Sequence, residues 1–91
     1  MKGLTMPEVS RFFGIIIRMH YDEHNPPHFH AEYQGHKAVF ELSGNIKEGS
    51  LKSKTATRLV RDWVDLHGDE LLDDWKRAME SKEVLPIAPL E

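Results

Sequence analysis

The chain has no cysteine. Disulfides, thiolate nucleophiles and cysteine-ligated zinc are therefore excluded, and a reducing compartment such as the cytoplasm is the expected location. Long apolar runs are also missing. The longest, such as Phe12 to Ile17 with Gly14 inside, fall far short of the roughly 20 residues that span a bilayer. No membrane association is expected. Excess positive charge is absent too: 15 Asp and Glu outnumber 12 Lys and Arg, for a net charge of -3. Affinity for nucleic acid rests on neutralising phosphates with Lys and Arg, so a general phosphate-binding surface is disfavoured. A mild basic cluster, Lys47, Lys52, Lys54, Arg58 and Arg61, precedes an acidic stretch and keeps nucleic acid among the partners to consider.

Length sets a further bound. With 91 residues the chain supports one hydrophobic core, and every functional group must sit on that body. We expect one domain over residues 6–91, with Met1 to Thr5 as a loose leader ahead of Met6-Pro7. Limited burial makes a partner or self-association a natural source of extra stability.

The order of residue types predicts an α+β fold. Phe12 to Tyr21 is rich in β-branched and aromatic residues and predicts a central strand. Pro26 and Pro27 then interrupt. His28 to Gln34 and His36 to Leu42 alternate in side-chain direction about a turn at Gln34-Gly35, with Ala38, Phe40 and Leu42 on one face and Val39 and Glu41 on the other. After a second turn at Ser43-Gly44-Asn45, a short strand is expected at Asn45 to Gly49. From about Lys54 the period becomes helical, with Leu59, Trp63, Leu66, Leu71, Trp75 and Met79 as the apolar stripe and Ser53 or Thr55 as the cap. Gly68 before Asp69 and Glu70 reads as a break. The expectation is a small antiparallel sheet of three to four strands, covered on one face by two C-terminal helices or one bent helix, and an extended tail from Val84 to Leu90. Trp63 and Trp75 are assigned to the core, and Asp62, Asp65, Asp69, Glu70, Asp73 and Asp74 to a solvated face, or to a surface for a basic partner. Arg11 and Arg18 bracket the first strand as edge charges.

Four of the six histidines fall between His20 and His30. On a strand His28 and His30 share a face, with Glu32 continuing the row, while Asp22 and His24 could return from the preceding loop. Asp22, His24, His28, His30 and Glu32 are therefore candidate ligands for a divalent zinc, nickel, iron or manganese ion. The plainer alternative makes the histidines hydrogen-bonded sheet residues behind a rigid Pro-Pro connection. Catalysis would use His28 or His30 as general base, with Asp22 or Glu32 as the orienting carboxylate. No serine lies in a recognisable nucleophile motif. A ribonuclease using the histidines and Arg18 needs none, because the substrate 2′-hydroxyl attacks.

Met6-Pro7, the run Ser10-Arg11-Phe12-Phe13-Gly14-Ile15 and the stretch from Asp22 through His28-Phe29-His30-Ala31-Glu32-Tyr33 resemble the bacterial domain-of-unknown-function family 4160. The resemblance continues through Gly49-Ser50-Leu51 and a helix with Trp63, Leu66-His67, Glu70-Leu71-Leu72 and Trp75. It implies no reaction. It does imply a small operon protein encoded beside a second short protein, of unknown-function family 2442, in a toxin–antitoxin-like arrangement. The leading expectation is thus an interaction or regulatory component with a neighbouring protein as partner, binding through the sheet and its His24, His28, His30 and Glu32 region. The competing expectations are a small hydrolase or ribonuclease, metal-dependent or metal-free, and a DNA-binding regulator using Arg58 and Arg61.

Overall fold

The computed structural model describes residues 6–21 and 23–91. Five strands, β1 (Glu8–Phe12), β2 (Ile15–Arg18), β3 (His28–Tyr33), β4 (His36–Glu41) and β5 (Ile46–Gly49), precede one helix, α1 (Lys54–Met79). The strands form one antiparallel meander in the order β1-β2-β3-β4-β5. Against the expected three to four strands, the sheet exceeds even the upper figure by one.

The extra strand comes from a turn hidden in an apolar run. Phe12 pairs with Ile15, leaving Phe13 and Gly14 as a two-residue loop, both with positive φ (50° and 80°). That is the twist-matched hairpin turn, usually written with Asn, Asp or Gly rather than Phe. The expected single strand from Phe12 to Tyr21 is therefore the end of β1, a turn and β2, and the central place belongs to β3. Gln34 and Gly35, also at positive φ (48° and 83°), make the same kind of turn between β3 and β4, as expected.

Side-chain alternation divides the sheet. Ile15, Ile17, Phe29, Ala31, Ala38 and Phe40 are buried against α1, while Ile16, Arg18, His30, Glu32 and Val39, one step out of phase, are only partly covered. Phe29 stacks on Phe40 at 5.4 Å between ring centroids and meets Trp63 edge-on at 5.9 Å. Burying aromatics at such a junction contributes several kcal/mol to a small core, roughly 3–5 kcal/mol for each large ring by the cost of its truncation.

The helix starts where Ser53, in extended conformation, accepts the Ala56 N–H through its side chain. Its backbone departs from helical geometry at His67 (φ -126°, ψ 26°) and then continues to Met79. One bent helix, rather than two, covers the sheet. Its buried residues are Ala56, Val60, Trp63, Val64, Leu71, Asp74, Trp75 and Ala78, a set spaced by three and four. Leu66 and Met79, placed in the apolar stripe by sequence, are 66% and 43% exposed. Leu66 lies about 60° off the face of Trp63 at 100° per residue. Asp74, assigned to the solvated face, is 1% exposed. The position is dictated by its neighbours Leu71, Trp75 and Ala78, with which it shares the core-facing side.

The tail lacks regular structure and packs across the body. Val84 and Ile87 are buried, Ile87 N–H donates to Val9 O at 2.8 Å, and Trp63 Nε1 donates to Ala88 O at 2.9 Å. Among the described residues no helix is long and apolar enough to cross a membrane.

Candidate functional site

The connection between β2 and β3 carries residues 19–27, and the register fixes what it brings together. Arg18 pairs with His30, so His20, two residues beyond β2, arrives beside the start of β3. The His20 and His30 rings stack at 3.5 Å between centroids with 7° between their planes. His28, at the first position of β3, is 6% exposed and lies against Trp75 of α1 at 5.0 Å.

All three imidazoles point at Glu23. Its Oε1 lies 2.8 Å from His30 Nε2, 3.4 Å from His28 Nε2 and 3.4 Å from His20 Nδ1. His20, Glu23 and His30 each offer a ligand atom, and these atoms lie within 4.8 Å of one another, the one such grouping among the described residues. Burial pushes the Glu23 carboxyl upward, but the His30 and His28 rings facing it outweigh this, His30 first, and hold the group below its ordinary value. Burial, followed by the adjacent His30 charge, pulls His20 down to about 4, so its ring is neutral at physiological pH.

The proton on His28 can be placed by its partner. Its Nδ1 lies 2.8 Å from Pro26 O, and a carbonyl oxygen only accepts, so Nδ1 donates. In the neutral ring Nε2 is then a bare lone pair, facing the carboxylate oxygen of Glu23. Two acceptors facing one another repel, so this gap calls for positive charge, a second ring proton or a cation. A ring N–H held by a backbone carbonyl is also the usual orienting bond of a metal-ligating histidine.

The sequence candidates are distributed as follows. His28 and His30 belong to the cluster. His24 is exposed and lines an adjoining hollow of about 220 Å³ with His28, His30, Val39, Lys47 and Glu48. Glu32 instead pairs with Arg18 at 3.6 Å and approaches Lys37 at 4.0 Å. Arg18 also donates to Met6 O at 3.0 Å. Asp22 lies outside the described residues. Arg58 pairs with Asp62 at 3.3 Å, and Arg61 donates to Gly44 O at 2.9 Å; both line a hollow of about 600 Å³ at the start of α1, with Lys52 and Lys54.

Sequence reasoning missed His20 and Glu23. The signal was faint: His20 continues the Arg18 side of β2 by the period of two, but Glu23 sits in an irregular segment where no periodicity applies.

Fold and site together define a small α+β domain, a five-stranded meander on one bent helix, that holds a histidine–carboxylate cluster at the β2–β3 connection. The family described as domain of unknown function (DUF4160) matches residues 14–76, which include the cluster and most of α1. The chain belongs to that family. No curated protein and no solved structure matches it.

Proposed function

We propose that the domain binds a divalent transition-metal ion through His20, Glu23, His28 and His30. The convergence of three imidazole nitrogens on one carboxylate oxygen carries this reading. Imidazole and carboxylate are the donors that zinc and its neighbours take, and the Pro26 carbonyl already orients one ring. A tetrahedral ion bound at about 2.0–2.1 Å spaces its ligand nitrogens by about 3.3 Å. Binding would therefore draw the ring nitrogens inward and splay the parallel stack of His20 and His30. The hydrophobic core is complete without the ion, which favours a functional role over a structural one. Four protein ligands close a tetrahedral site, so activation of water on the side of the hollow, the chemistry of a metal-dependent hydrolase, would require a fifth coordination position or release of one ligand.

Cobalt(II) titration of untagged protein, read by its visible absorption and by zinc competition, tests the assignment. The His30→Ala and His28→Ala variants should lose affinity by about 10- to 100-fold or more, whereas His24→Ala should retain it. Equal loss in all three variants, or no binding in the wild type, would defeat the proposal.

A second reading, an interaction component of a toxin–antitoxin-like pair, is favoured by the uncovered sheet face. There Ile16 and Val39 keep partial exposure among Arg18, Glu32 and Lys37. A patch of apolar residues ringed by charge suits a protein partner. Co-purification with the product of the adjacent gene, lost on Val39→Glu, is the expected result; failure to co-purify would count against it.

A further inference from the structure

The second half of α1 and the C-terminal tail enclose a hollow that the metal reading does not use. Its volume is about 290 Å³. One wall carries Asp69, Glu70, Asp73 and Asp74, and the other Leu85 and Pro86. Acidic residues on a helix are commonly just a solvated face, but Asp74 departs from that pattern. It is 1% exposed; its Oδ1 accepts the Leu85 N–H at 2.8 Å, and its Oδ2 has no hydrogen-bond partner. A buried carboxylate oxygen left unpaired is costly, and a cation held on the acidic wall that Asp74 helps to form would ease that cost through its field.

We infer that this hollow takes an arginine side chain from a partner protein. The two walls differ in kind, so the occupant should be an amphipathic cation, with a hydrocarbon stem against Leu85 and Pro86 and a charged head on the carboxylates. A bare metal ion would leave the apolar wall unused. Arginine suits the acidic wall better than lysine, because its planar head presents five donors in a fixed fork and can satisfy several carboxylate oxygens at once. Glu70 and Asp73 are already held by His67 at 2.6 Å and Arg77 at 2.8 Å. Their oxygens keep further lone pairs for a shared donor.

The test is a titration of the isotope-labelled full chain with the blocked peptide acetyl-Gly-Arg-Gly-amide, followed by backbone amide shifts. Its citrulline analogue, which keeps the shape and loses the charge, is the control. Shifts should centre on Asp74 and Leu85, and the citrulline peptide should bind about 10-fold more weakly or worse. Asp74→Asn keeps an oxygen for Leu85 and should cut affinity by about 5-fold, while Asp62→Asn, in the first half of the helix, should leave it unchanged. Should Asp74→Asn fail to fold, Asp69→Asn/Asp73→Asn, at exposed positions, supports the same comparison. Equal binding of the citrulline peptide, or stronger binding of the lysine analogue, would overturn the inference. So would magnesium shifting the same amides when the arginine peptide does not.

Discussion

Asp74 shows how far the setting of one side chain can depart from its chemical type. A carboxylate next to Trp75 and one turn after Leu71 must choose between solvent and its place on the helix, and the tail decides by laying the Leu85 N–H on Oδ1. Asp74→Ala should destabilise the fold by about 1–3 kcal/mol, because that buried N–H loses its acceptor; Asp74→Asn should cost much less. Burial raises the Asp74 carboxyl above its ordinary value; the Leu85 N–H opposes this, while the Asp73 and Glu70 charges add to it. The folded state therefore keeps its proton at a pH where the unfolded chain has lost it. The group's contribution is full below the unfolded value of about 3.9 and falls as pH rises through the folded value. Urea unfolding of wild type and Asp74→Asn at about pH 4 and about pH 7 checks the sign. Wild type should lose stability relative to the variant on going to the higher pH, and a constant difference would refute the assignment.

At the scale of elements, the turns were legible where their residues were ordinary. Gln34-Gly35 and Ser43-Gly44-Asn45 carry turn residues, and the strands on either side of them were anticipated within a residue or two. Phe13-Gly14 was not, because Phe13 sits inside a run of β-formers and reads as strand, although its backbone is left-handed and its ring is 61% exposed. Phe13→Asn should therefore stabilise the protein by about 0.5–1 kcal/mol by easing that conformation without removing core volume. A lower thermal midpoint in the variant would mean that the exposed ring has a packing role. In α1 the break was visible at Gly68, one residue from the observed departure at His67. Its consequence, a bend rather than a stop, was decided by packing: Leu71, Trp75 and Ala78 past the bend remain buried.

The whole molecule joins segments that sequence spacing keeps apart. An ion held as proposed would bind the folded chain more tightly than the unfolded one, so zinc at about 100 times its dissociation constant should raise unfolding free energy by up to about 2.7 kcal/mol. Chemical denaturation with and without zinc measures this, and the increment should vanish in His30→Ala. If it persists there, the stabilising ion sits elsewhere. Composition, the two periods and the histidine-rich segment were enough to determine the α+β class, the core-facing side of β4, the helix cap and the core places of Trp63 and Trp75, because these are local or follow from burying one face. They also singled out His28 and His30. That Glu23 and His20 meet them, that Glu32 turns to Arg18 instead, and that Asp74 is buried beneath the tail were decided only in three dimensions. Each depends on the strand register, on an aperiodic loop or on a tail crossing the helix, and none of these leaves a repeating pattern in the chain.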